Sequence, residues 1–472
     1  MNMTKLRVGV FATGLDTYWG QFEGLLDHLN SYREEIVAGI YRRVDAEVVD
    51  AGMVDNPDRA ACSAELFREK GVDVVFLYVA TYCLSSTILP VARALDCPLV
   101  LLNLQPVPAI DYNSVNALGD KEKMTGVWLE HCQACSIPEI CNVLKRASLR
   151  YSVVTGYLAD DKAWNEIEGW LRAASAVKAL SQNRMGVLGH YYSGMLDIYT
   201  DLTKLSSVFG THFDMLEMCE LKTIRNSLKS GEIAERVRLF GQKFDVSGDC
   251  PRTELERAAA TSLAMDRLVE KYALGSMAYY YEGEGELNDI ATSVIAGNTL
   301  LTGRGIPVAG ECDVKTAQAM KILSLIGGGG SFSEFYALDF KDDVVLLGHD
   351  GPAHPLIADG RVALAPLPVY HGKPGRGLSI QMSVRRGPVT LLSVCETPDG
   401  VHLLAAEGEA VAGPVLNIGN TNSRYRFGCG AGEFIGRWSE GGTSHHCAVG
   451  VGKLLDIIEK IAFLLDICIV KV

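Results

Sequence analysis

Residues 310–349 read GECDVKTAQAMKILSLIGGGGSFSEFYALDFKDDVVLLGH. Apolar residues at helical spacing predict a helix over Asp313–Leu325, just before the four glycines Gly327–Gly330. No Lys-Ser/Thr follows the glycines, as a phosphate-binding loop would require, so they are interpreted as an interdomain turn of closely approaching backbones. From residue 331 the helical periodicity disappears, and short apolar or alternating runs predict antiparallel strands. The fold therefore changes character within this stretch, from α/β to all-β.

Toward the N-terminus, strand and helix patterns alternate. Leu6–Thr13 is a predicted strand, and Val72–Val79 and Pro98–Leu104 are apolar runs typical of parallel strands buried on both faces. The alternation restarts after a long amphipathic helix over Asp161–Leu180. The prediction is an α/β fold with three domains, two α/β units over residues 1–180 and 181–326 and an antiparallel β-domain, barrel or sandwich, over residues 327–472.

Two patterns refine the β-domain. Asp399-Gly400 between apolar runs predicts a hairpin. The final stretch, residues 454–472, is apolar but interrupted by charged residues, so it predicts an amphipathic helix followed by a short segment.

Composition limits the class of function. The chain has 472 residues, 48% of them hydrophobic, and a net charge of −13, which argues against nucleic acid or an anionic membrane as the main partner. We expect no signal peptide and no membrane span. The 13 cysteines lack the spacing of a disulfide framework, which indicates a reducing, cytoplasmic location. Cys132-Gln-Ala-Cys135 is interpreted as a buried structural pair in preference to a zinc or redox site.

Carboxylates and histidines stand in an order that suits a metal ion. Glu311 and Glu334 lie on either side of the glycine run, His349 follows, and GGTSHHCAVG near the end adds His445 and His446. An oxygen and nitrogen ligand set of this kind could hold Mn²⁺, Mg²⁺ or a similar ion with coordination positions left open. Each residue alone would be read as a salt-bridge or core residue; the set predicts a metal centre.

Taken together, the motifs resemble those of the L-arabinose isomerase family, within the wider arabinose/fucose isomerase-like group. The shared segments run almost from end to end: FATG and YWG near the start, VVTG before the long helix, AGECDVKTA, SFSEFYALDF, LLGHD and GGTSHH. The resemblance implies two Rossmann-like α/β domains and a C-terminal antiparallel β-barrel. It also implies a homo-oligomer, trimer or hexamer, with active sites at subunit contacts, and aldose–ketose isomerisation of a small-molecule sugar.

The resemblance also assigns roles to the candidate residues. Glu311, Glu334, His349 and His446 match the family's metal ligands, with His445 as the alternative to His446, and the expected cofactor is Mn²⁺, with Mg²⁺ or Co²⁺ as alternatives. Glu311 and Glu334 are also the expected acid/base pair, since isomerisation moves hydrogen between C1 and C2 and a proton between O1 and O2. Both an enediol route and a metal-assisted hydride shift fit these residue types.

Departures from the family pattern concentrate in the first domain. The family's GSQxLYG loop is here Gly14–Gly20, with an aspartate in place of the glutamine, and its NQTAHGGREFG segment is not matched around residues 130–139. An aspartate only accepts hydrogen bonds where glutamine also donates, so a sugar other than L-arabinose is expected. Ligands of parallel sheets bind beyond the carboxyl ends of the strands, where three of the predicted loops lie. The predicted sugar-binding residues are Asp16, Tyr18, Trp19, Tyr82, Gln105 and His131.

Two other functions remain open. The same metal centre could serve another reaction on a sugar or sugar acid, such as epimerisation or carbon–carbon cleavage. Alternatively, the α/β halves could bind a sugar without turnover, although a pair of acid/base carboxylates on a metal argues against a simple binder.

Overall fold

The computed structural model describes residues 5–283, 285–367, 369–370, 373–374 and 376–472. The chain divides between Lys178 and Ala179 into two compact units, each described separately below. Within the described part of the chain, none of the helices combines the length and apolar character that crossing a membrane would require.

The first unit is a five-stranded parallel sheet with the strand order β2-β1-β3-β4-β5. Every residue of β3 is buried, which explains why its sequence is a continuous apolar run. The elements in chain order are β1 Leu6–Thr13, α1 Leu25–Tyr41, β2 Ala46–Val54, α2 Pro57–Lys70, β3 Val74–Val79, α3 Ser85–Arg93, β4 Leu99–Gln105, α4 Tyr112–Ala117, α5 Lys121–Leu129, α6 Gln133–Arg146, β5 Tyr151–Tyr157 and α7 Asp161–Ser181.

The CxxC lies at the start of α6, with Cys132 at its N-cap and Cys135 inside its first turn. Cys132 is buried, but Cys135 is exposed, and every cysteine of the chain is a free thiol. The interpretation as a buried pair was therefore wrong for Cys135, because the first turn of α6 turns that side chain outward.

The α/β part of the second unit is a four-stranded parallel sheet with the order β10-β9-β6-β7. Helices α12 and α13 are separated by a short break, where the hydroxyls of Thr292 and Ser293 donate to carbonyl oxygens of the preceding turn. The elements are β6 Arg184–Gly189, α8 Leu202–Phe209, β7 His212–Leu216, α9 Met218–Asn226, α10 Ser230–Lys243, β8 Asp245–Val246, α11 Arg252–Tyr272, β9 Ser276–Tyr280, α12 Glu286–Ala291, α13 Ile295–Gly303, β10 Val308–Ala309 and α14 Val314–Leu325.

The β part of the same unit is a closed antiparallel barrel. Six strands follow the order β17-β20-β11-β12-β19-β18, and pairing of β17 with β18 closes the ring. The elements are β11 Gly329–Asp339, β12 Val344–His349, β13 Ala363–Pro366, β14 Val369–Tyr370, β15 Lys373–Pro374, β16 Leu378–Gln381, β17 Gly387–Thr397, β18 Gly400–Val411, β19 Thr421–Phe427, α15 Ala431–Glu440, β20 His446–Val451, α16 Leu455–Leu465 and β21 Cys468–Lys471.

The predicted fold class, α/β domains followed by an antiparallel β-barrel, is confirmed, with two differences of detail. The hairpin between β17 and β18 turns at residues 398–399, one residue earlier than predicted. Gly329 and Gly330 belong to β11, not to a turn, and a Cβ on Gly330 would lie 2.7 Å from the carbonyl oxygen of Met320. The glycines therefore let β11 pass against α14, the close approach that had been expected.

Candidate metal centre

Backbone register brings three of the candidate residues to one end of the barrel. In the pairing of β11 with its two neighbours, Glu334 lies opposite Gly348 of β12 and opposite His446 of β20. His349 is the last residue of β12, and His446 is the first residue of β20. Neighbouring antiparallel strands thus place side chains together that are far apart in sequence.

Glu311 reaches this end from the parallel sheet. It lies two residues after the end of β10, and both Glu311 and Cys312 have left-handed backbone conformations, with φ of 54° and 61°. Such conformations cost on the order of 1–3 kcal/mol each for residues other than glycine. Two main-chain hydrogen bonds hold the turn, from Tyr192 to the Glu311 carbonyl (3.3 Å) and from Cys312 to the Tyr279 carbonyl (3.1 Å). Strained backbone held in this way is typical of functional sites.

The side chains converge. Glu311 Oε2 lies 3.3 Å from His446 Nε2, and Glu311 Oε1 lies 3.8 Å from His349 Nε2. Two sets of potential ligand atoms each fall within 4.8 Å of one another, the first from Glu311, His349 and His446 and the second from Glu334, His445 and His446. His446 Nδ1 is already bonded to Asp313, so Nε2 is the nitrogen it can offer. Because that nitrogen has one lone pair, the two sets describe a single site.

Two buried atoms at this point have no hydrogen-bond partner within the described chain, Glu311 Oε2 and His446 Nε2. An unpaired buried carboxylate oxygen or imidazole nitrogen is costly, so native structures rarely keep one without a ligand or an ion. The two atoms lie 3.3 Å apart and belong to the donor types that divalent transition metals bind. The residues present therefore fit a divalent cation.

Asp313 is one of two carboxylates at this site that were not recognised from the sequence. It is fully buried at the N-cap of α14, where its carboxylate accepts hydrogen bonds from the amide and hydroxyl of Thr316. The same carboxylate binds His446 Nδ1 at 3.0 Å, which fixes the ring's orientation and directs Nε2 toward Glu311. Its N-cap position was a signal in the sequence, but an N-cap does not reveal a second partner.

His445 has a corresponding carboxylate, Asp197. Asp197 Oδ2 accepts from the His445 amide at 2.9 Å and lies 2.6 Å from His445 Nδ1. His445 Nε2 is 3.7 Å from Glu311 Oε2, but the side chain is 38% exposed, whereas that of His446 is wholly buried. Only His446 belongs to both sets of potential ligands, so the geometry favours it over His445.

His349 is held by its own loop. Its Nδ1 accepts from the Gly351 amide at 2.8 Å and lies 3.2 Å from the carboxylate of Asp350. While Nδ1 accepts from Gly351, the proton of a neutral ring lies on Nε2. Ligation through Nε2 would require the proton on Nδ1, where Asp350 could accept it in place of the contact with Gly351. The ring of Phe332 packs against both His349 and His446, with centroids 4.5 and 4.3 Å away. Phe332 thus forms a dry wall behind the two imidazoles.

The charges of the groups at this site favour the binding of a cation. Burial works against ionisation of Glu311, yet its contacts with His445 and His446 and the charge of His349 hold its pKa well below the usual range. The pKa of Asp313 is also lowered. Burial opposes the ionisation of this carboxyl, but its contacts with His446 and Thr316 outweigh burial. Burial by itself would lower the pKa of His446, but the Asp313 and Glu311 carboxylates outweigh burial and raise it. Two buried carboxylates therefore concentrate negative potential on one imidazole.

The predicted sugar-binding residues all belong to the first unit. Asp16 and Tyr18 form a short 3₁₀ helix after β1, and the Trp19 indole donates to Asp55 Oδ2 at 2.7 Å. Tyr82 follows β3, and Gln105 is the last residue of β4. Because β1, β3 and β4 are parallel, these positions share the carboxyl edge of the sheet.

The sixth predicted residue, His131, is placed differently. It follows α5 rather than a strand, and its Nδ1 donates to the Val127 carbonyl at 3.0 Å. A role in sugar binding stays a prediction for all six residues.

The chain is similar in sequence to known sugar isomerases. The chain is 24% identical to the L-arabinose isomerase of Klebsiella pneumoniae subsp. pneumoniae, over 68% of this chain and 67% of that protein. It is 22% identical to the L-arabinose isomerase of Vibrio parahaemolyticus serotype O3:K6, over 97% and 92%. A sulfoquinovose isomerase from Alkalicoccus urumqiensis is 24% identical, over 59% and 63%. No protein-family model matches the chain. The resemblance to L-arabinose isomerases is confirmed, with the chain as a divergent relative.

Proposed function

We propose that this protein is a divalent-metal-dependent sugar isomerase that interconverts an aldose and a ketose, with a substrate other than L-arabinose. The observation that carries the proposal is the convergence of Glu311, His349 and His446 around buried atoms that lack hydrogen-bond partners within the described chain. The isomerase names of the relatives support the same reaction class.

The ion would be held by Glu311, Glu334, His349 and His446. Two carboxylates and two imidazoles suit Mn²⁺ first, with Mg²⁺ or Co²⁺ as alternatives. Such an ion would polarise the sugar oxygens and stabilise the negative charge that develops on them.

The chain's own residues would position the sugar and move its protons. Glu311 and Glu334 are assigned as the acid/base pair, one carboxylate accepting a proton from the sugar and the other returning one at the neighbouring oxygen. Asp313 would hold His446 in place, and Phe332 would exclude water behind the histidines. The loops after β1, β3 and β4, with Asp16, Tyr18, Trp19, Tyr82, Gln105 and His131, are assigned to the recognition of sugar hydroxyls.

The test is a panel of aldoses and ketoses incubated with the full chain and Mn²⁺, with exchange between C1 and C2 followed by NMR. Glu334→Gln should abolish turnover without unfolding the chain. Glu409→Gln, an exposed carboxylate on barrel strand β18, should leave turnover unchanged. Near-normal turnover by Glu334→Gln would contradict the assignment of Glu334 as a catalytic residue and metal ligand. Conversion of a sugar without C1/C2 exchange would instead indicate epimerisation or carbon–carbon cleavage, and binding without turnover would indicate a sugar-binding protein.

We also propose that the protein is cytoplasmic and forms a homo-oligomer, a trimer or hexamer. The free state of its cysteines supports a reducing location, and the resemblance to L-arabinose isomerases supports the assembly. Sedimentation of the purified chain would measure the oligomeric state, and a monomer at micromolar concentration would contradict the proposal.

A further inference from the structure

A second concave site lies in the second unit, and its lining includes none of the candidate metal ligands. It is a cavity of about 390 Å³ between α10, α11, α13 and the loop around residues 355–362. Arg304, at the C-cap of α13, is one of its lining residues. The cavity and the candidate metal centre thus have no lining residue in common.

Charge in this cavity is unbalanced. The lining residues include four cations, Arg236, Lys243, Arg304 and Arg361, and a single acid, Asp266. Arg236 binds Asp266 at 2.6 Å, and Arg304 also pairs with it, so one carboxylate is shared by two guanidinium groups.

The other two cations, Arg361 and Lys243, differ in how their side chains are placed. Arg361 donates to the carbonyl oxygens of Gly241 and Phe244 at the end of α10, which fixes one wall of the cavity. Lys243 is exposed at the end of the same helix. The cavity therefore keeps an excess positive charge that an anion would neutralise.

The rest of the lining is apolar. Leu239, Phe244, Leu300 and Val362 contribute side chains, and Leu356 at the edge is 67% exposed. Small-molecule sites are typically concave and mostly apolar, with a few polar groups that fix orientation. An apolar wall next to excess positive charge is complementary to a molecule with an anionic end and an apolar body.

We propose that this cavity binds a small amphipathic anion. Its carboxylate, sulfonate or phosphate group would lie against Arg304 and Lys243, and its apolar body would pack against Leu239, Leu300 and Leu356. The alternative is a purely structural role, in which the arginines only tie α10 and α13 to α11 through Asp266.

A matched pair of dyes separates these readings. The probe is 1-anilinonaphthalene-8-sulfonate, and its control is N-phenyl-1-naphthylamine, which has the same rings without the sulfonate. Fluorescence titration of the full chain should show saturable binding of the sulfonate dye, at least about tenfold tighter than the neutral dye. Saturable binding that is equal for both dyes, or no saturable binding, would overturn the proposal.

Variants locate the site. Arg304→Gln leaves Asp266 paired with Arg236 and should weaken the sulfonate dye about tenfold, and Leu356→Ser should weaken both dyes severalfold. Arg252→Gln is the matched control, because Arg252 is an exposed arginine of α11 paired with Glu256 outside the cavity, and it should change binding less than twofold. Thermal melts would establish that each variant is folded. Equal affinities of Arg304→Gln and Arg252→Gln for the sulfonate dye would overturn the proposal.

Discussion

The candidate metal centre and the loops at the carboxyl edge of the first sheet are built in different ways. At the metal centre, register and buried carboxylates determine each side chain: Glu334 by its two strand partners, His446 by Asp313 and Glu311 by a strained turn. In the first-sheet loops, Asp16 is exposed on a three-residue 3₁₀ helix.

This difference suggests a division of labour. Rigid, buried groups suit chemistry, which requires ligand atoms held within fractions of an ångström. Exposed loop residues on a rigid sheet can change without disturbing a core, so they suit the choice of substrate. The motifs around Glu311, Glu334, His349 and His446 resemble those of L-arabinose isomerases, whereas the Gly14–Gly20 loop has Asp16 where their pattern has glutamine. Four predictions test the comparison, from the largest expected effect to the smallest.

The largest effect is expected at the metal centre itself. Glu311→Gln removes a charge that the proposed ion requires, so bound Mn²⁺ should fall to background and turnover should drop by at least about 10³-fold. Metal analysis of the dialysed protein and NMR exchange would measure the two effects, with Glu409→Gln as control. Retention of stoichiometric metal would show that Glu311 is not a ligand.

Acid should destabilise the second unit through His354. Burial lowers its pKa to about 4, from an ordinary value of 6.5. At a pH between these two values, His354 binds a proton in the unfolded chain but not in the folded chain. The free energy of unfolding is therefore highest above pH 6.5 and decreases as the pH falls toward 4. The full shift corresponds to about 3 kcal/mol.

His354→Asn tests this prediction. Asparagine can still accept the N-cap hydrogen bond from Leu356, so the fold is expected to persist. Denaturant unfolding between pH 4 and 7 should show a flatter pH profile for this variant than for the parent. An unchanged slope in His354→Asn would contradict the assignment.

The orientation of His446 should depend on Asp313. Asp313→Asn keeps the size of the side chain but weakens the bond to Nδ1, and the loss of such a supporting carboxylate typically costs 10- to 100-fold in metal affinity, by the order of magnitude known for metal centres. Competition with a chelating dye would measure affinity for Mn²⁺. If Mn²⁺ affinity is unchanged while the melting temperature falls, Asp313 serves α14 alone.

The smallest effect is expected in the first unit. Asp16→Asn adds a hydrogen-bond donor, and it should change the ratio of kcat/KM between two sugars by about tenfold, the equivalent of one hydrogen bond. Affinity for Mn²⁺ should remain the same. Asp27→Asn, an exposed aspartate of α1, is the control. A loss of affinity for Mn²⁺ in Asp16→Asn would contradict the assignment of metal binding and substrate choice to different regions.

Much of the fold could be predicted because the spacing of apolar residues along the chain indicates its helices and strands. The continuous apolar runs of β3 and β4 indicated parallel strands, and the loss of helical spacing after Gly330 indicated the β-domain. The break between α12 and α13 could not be predicted from spacing, since both halves keep a helical pattern. The one-residue shift of the hairpin at residues 398–399 depends on register, which is a property of two strands together.

For the site, the sequence identified residue types and order. Structure brings Glu311, His349 and His446 within reach of one another, and the ligand roles themselves stay predictions. Asp313 and Asp197 were not recognised, because each appears in the sequence as an ordinary acidic residue near a helix start. Nothing local indicates that they bind His446 and His445, which lie more than a hundred residues away.

What the sequence by itself determined was the order of the elements, the kinds of ligand atoms available and the resemblance to sugar isomerases, all of which depend on residues that are close along the chain. Tertiary structure alone decided which histidine is buried, which carboxylates orient the imidazoles and that excess positive charge gathers in a cavity between α10, α11 and α13. These properties arise from pairs of residues brought together by strand register and helix packing, and a linear pattern does not encode the distances between such pairs.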